Sequence, residues 1–333
     1  MGDPTPLIIL SFCDIQTTLC VSLTSTGWKY NVERFWNQTK VLVVSCHVYE
    51  VTHKKETLRW IVQYCRNLRV IDIRWCVFPV DLLVDLIQAS PLLEIYLSSY
   101  GESVVFEAIY EMCPHITGLG ILHCNLPIAA LSKFKSLTAL ELGHYTAYLE
   151  IGQQILRNIL SRNPDLQIVH ILGFSDSFTL LESLRSDKLK SFSVPYEQDP
   201  ITPDKVQLLK RFSKLDNINF GQSAYSDSFQ VLKVLSRNHP RLRSLSFYSH
   251  FVQSELFVVS HLSNSSFFPC LETLGCRIKP SSRKVYATLS DTRKDLIICD
   301  YEKNRTKPSG WCYSNFDLWI LMKKYGLYTH KQW

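Results

Sequence analysis

A short apolar pattern recurs nine times along this chain and constrains its fold more than any other feature. One copy consists of Leu137, Leu140 and Leu142, which occupy positions 1, 4 and 6 of a short extended segment. The copies begin at residues 68, 92, 116, 137, 166, 189, 215, 242 and 271, so successive starts lie 21 to 29 residues apart. No single repeat of this size buries its own apolar face, and the pattern therefore predicts a solenoid of stacked repeats.

Each repeat predicts one strand followed by one helix. Positions 1, 4 and 6 point inward, whereas positions 3, 5, 7 and 8 lie on the other face of a parallel sheet. The segments between strands have helical periodicity, and Pro114, Pro164 and Pro240 end three of these helices just before the next strand. The pattern resembles the leucine-rich repeat family, whose Asn/Cys site is matched by Cys76 and Cys124 at position 9. The resemblance covers residues 38–300, about ten repeats, and implies an α/β horseshoe with a concave parallel sheet and convex helices.

Composition excludes several classes of function. The net charge of +6 on 333 residues is mild and does not by itself predict nucleic-acid binding. No apolar run approaches the ~18 residues of a membrane span, and no phosphate-binding, metalloprotease or hydrolase motif is present. The 11 cysteines form no Cys-x-x-Cys pair and follow no secretory signal, which predicts reduced thiols in the cytoplasm or nucleus. We therefore expect no enzyme activity, no cofactor, no membrane association and no nucleic-acid partner.

Residues 4–44 do not fit the repeat and are predicted to form short helices. Asp14 can cap a helix that carries Leu19 and Leu23, and we predict that Gly27-Trp28 ends this helix. A strand, Val41–Val44, then leads into the repeats.

This N-terminal segment resembles the F-box. The order and spacing of that motif are matched by Ile9, Leu10, Ser11, Phe12, Asp14, Leu19, Val21, Ser22, Leu23, Trp28, Phe35 and Trp36. Only Gly2 to Pro6 precede the apolar run, so the first F-box helix is expected to be incomplete. The resemblance implies that an adaptor subunit contacts Pro6, Leu7, Ile8, Leu10, Phe12, Leu19, Val21, Leu23 and Trp28. The alternative is that this segment only caps the N-terminal end of the solenoid.

The predicted concave face offers a surface for a protein target. We expect the contacts to come from Asp72, Arg74, Trp75, Glu94, Tyr96, His123, Glu141, His144, His170, Tyr196, Asn219, Tyr248 and Arg277. Its aromatic and arginine side chains are predicted to be exposed in the free protein, because such residues dominate binding energy. Three of the histidines lie on consecutive repeats, but no tight ligand spacing accompanies them, so we favour solvated histidines over a metal site.

Residues 301–333 are predicted to form a C-terminal capping tail. The two resemblances together imply the F-box/leucine-rich-repeat family. Its members are non-catalytic adaptors of Skp–cullin–F-box ubiquitin ligases, which hold a protein target for ubiquitination and degradation. The expected partners are a Skp-type adaptor, a cullin and a protein substrate. The alternative is a leucine-rich-repeat scaffold or inhibitor that binds a partner without a ligase.

Overall fold

The protein is described from a computed structural model. The structure describes residues 20–43, 55–74, 78–97, 103–121, 128–143, 149–171, 177–185, 187–194, 199–220, 227–247, 259–276 and 283–300. No helix within these ranges is long and apolar enough to cross a membrane. The chain divides into two compact units, Met1–Leu142 and Gly143–Trp333. The predicted domain boundaries at residues 38, 44 and 300 stay predictions.

The first unit alternates helices and strands. Its elements are α1 (Thr26–Gln38), β1 (Val41–Val43), α2 (Lys55–Tyr64), β2 (Val70–Ile73), α3 (Val80–Ala89), β3 (Glu94–Leu97), α4 (Ser103–Met112), β4 (Gly118–Ile121), a 3-10 helix (Ile128–Lys133) and β5 (Ala139–Leu142). Strands β1 to β5 pair in parallel in chain order. Each helix packs against the next, so the helices form one row beside the sheet.

The second unit follows the same plan with shorter strands. Its elements are α5 (Leu149–Arg162), β6 (Ile168–Ile171), α6 (Ser177–Ser183), β7 (Ser191–Ser193), α7 (Pro203–Gln207) with a 3-10 turn (Leu208–Arg211), β8 (Asn217–Asn219), α8 (Ser228–Asn238), β9 (Ser244–Ser246), β10 (Thr273–Cys276), α9 (Arg283–Thr292) and β11 (Ile297–Asp300). Strands β6 to β11 also pair in parallel in chain order.

The register confirms the predicted repeat within each unit. In the first unit the position-4 residues pair across strands in the order Ile71, Ile95, Leu119 and Leu140. In the second unit the corresponding row is Val169, Phe192, Ile218, Leu245 and Leu274. All nine side chains are fully buried. A shift of one residue would move this apolar row to the opposite, polar face of the sheet, so the apolar spacing specifies the pairing. The fold is a leucine-rich-repeat solenoid of parallel strands alternating with helices.

The prediction that Gly27-Trp28 ends a helix is wrong. The helical turn at residues 20–22 ends first, and α1 then begins at Thr26 with both residues in its first turn. The reason is an N-cap: the Ser25 hydroxyl accepts a hydrogen bond from the Trp28 backbone N–H at 3.2 Å. This contact satisfies one of the free amides with which every helix begins.

Candidate recognition surfaces

A buried ionic network crosses the first unit on the side of the sheet away from the helices, which we call the open sheet face. Arg74 follows β2 directly. Its Nε and Nη2 atoms donate to the two carboxylate oxygens of Asp72 at 2.9 and 2.6 Å. Its Nη1 atom donates to Oε2 of Glu141 at 2.5 Å. Since Asp72 lies on β2 and Glu141 on β5, the arginine links strands that are separated by β3 and β4.

The arginine passes over a tyrosine that lies flat on the sheet. The Arg74 guanidinium carbon is 5.1 Å from the centre of the Tyr96 ring, a geometry that favours cation–π attraction. The Tyr96 hydroxyl donates to Oε2 of Glu94 at 2.9 Å. We call Asp72, Arg74, Tyr96 and Glu141 the clasp.

Two glycines of β4 make room for the side chains that lie across it. A Cβ atom at Gly120 would be 2.3 Å from Cδ1 of Tyr96, and one at Gly118 would be 2.7 Å from Cγ of Glu94. Contacts this short are not tolerated, so a larger residue at Gly120 would force the ring off the strand. This role was not predicted, although the sequence carries the signal: this repeat alone has glycine at both position 3 and position 5.

The prediction that Arg74 and Tyr96 are exposed is therefore wrong. Their residues are only 4% and 1% accessible to solvent, and Asp72 and Glu141 are also buried. They are buried because they pack against each other: the Tyr96 ring lies over the glycines of β4, and the Arg74 guanidinium lies over the ring. Glu94 is half-buried. Their assignment as target contacts stays a prediction.

The open sheet face of the second unit is lined by short polar side chains. The buried members are His170, Ser191, Ser193, Asn219, Ser244, Ser246 and Thr273. Nε2 of His170 lies 3.0 Å from the Ser191 hydroxyl on the neighbouring strand. Two buried hydroxyls, those of Ser244 and Thr273, have no hydrogen-bond partner in the part of the chain that the structure describes. In the part of the chain that the structure describes, this face thus consists of small polar groups.

The remaining predicted target contacts lie outside the described residues. They are Trp75, His123, His144, Tyr196, Tyr248 and Arg277. Across the described ranges, no cluster of three or more His, Cys, Asp or Glu side chains is arranged to hold a metal ion. Of the predicted histidine row, the structure therefore describes only His170, which contacts a serine.

The N-terminal segment exposes apolar side chains ahead of the repeats. Leu23 is 86% exposed in the turn before α1, and Tyr30 on α1 is 64% exposed. Val21 and Trp28 are half-buried. The other predicted adaptor contacts, Pro6, Leu7, Ile8, Leu10, Phe12 and Leu19, lie outside the described residues. A role in adaptor binding was predicted for Leu23 but not for Tyr30, which the F-box match does not include.

The opposite side of the same helix is anchored to the first repeat. Val32 and Trp36 of α1 are buried, and α1 packs against α2. The Trp36 ring meets the Trp60 ring of α2 edge-on, with centroids 5.5 Å apart. Such aromatic pairs stabilise a contact beyond simple burial of area. The exposed residues are therefore held at a defined position on the first unit.

Two cysteines directly after helices of the first unit, Cys65 and Cys113, are buried. Burial raises the pKa of the Cys65 thiol to about 12 and that of Cys113 to about 11. Both thiols stay protonated at neutral pH and are poor nucleophiles. Cys20 and Cys270 are free and exposed.

Comparisons with known proteins bear on the fold. No protein-family model matches the chain, and no curated protein matches it. A chain in the crystal structure of the Rad7 and Elc1 complex in yeast aligns over 92% of this chain and 99% of its own length, with a TM-score of 0.52 and 14% identity. The leucine-rich repeat-containing protein LegL7 from Legionella pneumophila aligns over 76% of this chain and 88% of its own length, with a TM-score of 0.44 and 13% identity. The protein thus has a fold similar to that of the yeast chain.

Proposed function

We propose that the protein is a substrate-recognition adaptor of a Skp–cullin–F-box type ubiquitin ligase. In this proposal the N-terminal segment binds a Skp-type adaptor, and the repeats hold a protein target for ubiquitination and degradation. The chain itself performs no chemistry. It raises the effective concentration of the target's lysines near the ubiquitin-charged enzyme. It would act in the cytoplasm, the nucleus or both.

The observation that carries this proposal is the exposure of Leu23 within the F-box-like segment. Val21, Ser22 and Leu23 match the motif in order and spacing, and the leucine side chain is 86% exposed. A leucine contributes about 1.5–3 kcal/mol when it is fully buried, so this side chain stabilises the free protein little and is available to a partner. Tyr30 adds a second exposed ring on the same segment.

The packing of α1 against α2 would fix the position of a bound adaptor relative to the repeats. Trp36 fixes α1 against α2, so a partner bound at Leu23 and Tyr30 would be positioned rigidly relative to the first repeats. A ligase needs this rigidity, because the target must be held within reach of the transferring enzyme. The structural neighbour from yeast is itself part of a two-protein complex, which agrees with a role in an assembly.

The test is capture of a Skp1-type adaptor by the full chain, with Leu23→Asp as the disruptive variant. We expect the variant to lose adaptor binding and keep its urea unfolding midpoint, because the substituted side chain is solvent-exposed. An aspartate would place an unpaired carboxylate in an apolar contact, at a large desolvation cost. The matched control is Met112→Asp, which changes a half-exposed apolar residue on α4.

Two outcomes would contradict the proposal. The intact chain could fail to capture the adaptor, or capture could survive Leu23→Asp and map to the repeats. Either result would favour the second reading, a leucine-rich-repeat scaffold or inhibitor that binds a partner without a ligase.

A further inference from the structure

Three consecutive turns of the second unit carry an unusual concentration of positive charge. These turns connect a helix to β7, β8 and β9, and they span residues 185–190, 210–216 and 237–243. Each contains three basic residues, which are Arg185, Lys188, Lys190, Lys210, Arg211, Lys214, Arg237, Arg241 and Arg243. The only acidic residues in the three turns are Asp187 and Asp216. Their formal charge of +7 exceeds the +6 of the whole chain, so the remaining residues sum to slightly negative.

The three turns are neighbours in space, at the edge of the sheet where the strands begin. The backbone N–H of Asp216 donates to the Lys190 carbonyl at 3.0 Å, and that of Arg243 donates to the Asp216 carbonyl at 2.9 Å. These bonds place the three residues side by side, about 4.8 Å apart. We call the nine basic residues of these turns the basic edge.

The basic edge is exposed. All nine basic residues are solvent-exposed. Three of them meet carboxylates on neighbouring turns: Lys188 pairs with Asp165, Lys214 lies 3.9 Å from Asp187, and Arg243 lies 3.6 Å from Glu272. Exposed pairs of this kind contribute little to stability. These basic side chains can therefore leave their intramolecular carboxylates and pair with carboxylates of a binding partner at a small cost in free energy.

A contact with a helix end explains Arg211, but not the other basic residues of the three turns. The guanidinium of Arg211 donates to the carbonyls of Leu181 and Leu184 at the C-terminal end of α6, the helix of the previous repeat. This contact is expected for a cation near a helix C-terminus. Lys190 and Arg243 lie directly before β7 and β9, and Arg241 lies in the turn between α8 and β9. Lys190 and Arg243 flank the half-buried Asp216, and both oppose the rise that burial causes in the pKa of its carboxyl.

We infer that the basic edge binds an acidic segment of a partner protein. Three strands span about 10 Å at this edge, and helices packed 8–10 Å apart widen it to about 20 Å. An extended peptide of about six residues has this length. Among the described residues of the three turns, the only aromatic rings are those of Phe212 and His239, and both are buried. Stacking surfaces typical of single-stranded nucleic-acid sites are thus missing there, which favours an acidic peptide.

The test is fluorescence anisotropy with the purified full chain and a fluorescein-labelled ten-residue peptide of alternating Glu and Ser. The disruptive variant is Lys190→Glu/Arg241→Glu. Its control is Arg66→Glu/Arg69→Glu, which makes the same change of charge at an exposed turn before β2. We expect the disruptive variant to weaken peptide binding about tenfold or more, equivalent to the loss of about 1.4 kcal/mol. The control should change it less than about twofold, and added salt should weaken binding by the parent chain.

Three outcomes would overturn the inference. They are no binding of the peptide by the parent chain, equal loss in the two variants, or tighter binding of a 20-nucleotide single-stranded DNA that is lost with Lys190→Glu/Arg241→Glu. The last result would reassign the edge to nucleic acid. The inference does not rest on the adaptor proposal, because Leu23→Asp should leave peptide binding unchanged.

Discussion

The open sheet faces of the two units solve the same packing problem in different ways. In the first unit, long charged and aromatic side chains lie across the strands, and Arg74 joins Asp72 to Glu141 over the ring of Tyr96. In the second unit, hydroxyl, amide and imidazole groups fill the same positions, and Nε2 of His170 lies 3.0 Å from the Ser191 hydroxyl on the next strand. The described side chains at these positions are mostly buried in both units, and in the first unit their arrangement depends on the glycines of β4.

The comparison shows what the repeat leaves undetermined. The apolar rows at positions 4 and 6 are the same in both units, because they decide which face meets the helices. Position 5 carries Asp72, Tyr96, Gly120 and Glu141 in the first unit and His170, Ser193, Asn219, Ser246 and Gly275 in the second. In an array with mainly nearest-neighbour contacts, the clasp adds a contact between strands that are not neighbours. We therefore expect the first unit to open as a larger block.

The largest difference between the units should come from removal of the clasp cation. Arg74→Met keeps the aliphatic stem but leaves the Asp72 and Glu141 carboxylates buried without their cation. Breaking a buried charge pair costs about 3–5 kcal/mol, and hydrogen exchange of β2 and β5 should accelerate together. The control is Arg69→Met, an exposed arginine of the same repeat, which should cost about 0.5 kcal/mol or less in urea denaturation. Equal losses would show that the clasp is not a stabilising network.

Truncation of a position-4 leucine should be equally damaging in the two units. Leu140 and Leu245 are both fully buried, and each substitution by Ala should lower the free energy of unfolding by about 2–5 kcal/mol. Urea denaturation measures the loss, with exposed Leu23→Ala as the control. An unchanged midpoint for Leu140→Ala would contradict the register, and a large difference between the units would show that their cores are not equivalent.

Acid should weaken the second unit through His239. This buried imidazole hydrogen-bonds the Leu209 carbonyl, and burial lowers its pKa from 6.5 to about 4. Between pH 6.5 and 4, His239 is therefore protonated in the unfolded chain and neutral in the folded chain. The stabilising contribution is complete above pH 6.5 and is lost as the pH falls from 6.5 to 4, by about 3 kcal/mol at most.

The equivalent turn before β6 supplies a non-titrating replacement for His239. There Asn163 is buried and donates from Nδ2 to the Ile159 carbonyl at 2.8 Å. We expect His239→Asn to flatten the dependence of the unfolding free energy on pH between 6.5 and 4, relative to the parent chain. Asp216 changes stability in the opposite direction, since burial raises its pKa, but it is present in both proteins and cancels. An unchanged slope would mean that the imidazole is solvated.

The smallest change in stability should come from removing a buried hydroxyl of the second unit that has no hydrogen-bond partner among the described residues. The Ser244 hydroxyl is buried and has no hydrogen-bond partner within the described ranges. Ser244→Ala removes a polar group whose burial is uncompensated, so stability should stay within about 1 kcal/mol of the parent or rise. Urea denaturation provides the measurement, with Ser191→Ala as the comparison because Ser191 contacts His170. A loss above about 1 kcal/mol for Ser244→Ala would reveal a hydrogen bond that the second unit depends on.

The sequence by itself determined the strands, their order and their register. Spacings such as Leu137, Leu140 and Leu142 are local, and burial of one alternate face decides the pairing without any knowledge of distant residues. The match of Leu23 to an F-box-like spacing is also local, and its role in adaptor binding stays a prediction. The helix boundary at Gly27-Trp28 was predicted wrongly, because Ser25 caps a helix that begins before the glycine and continues through it.

Only the tertiary structure decided which polar side chains of the open sheet face reach solvent. Arg74 finds Asp72 two residues away, but its second partner, Glu141, is 67 residues distant. That pairing also requires Tyr96 to lie flat, which depends on the missing Cβ of Gly120 on another strand. The solvent exposure of a side chain depends on which side chains of neighbouring repeats pack over it. A periodic pattern specifies the sheet face on which a residue lies, but it does not specify these contacts. For this reason the sequence predicted an exposed arginine and tyrosine where the folded protein buries both.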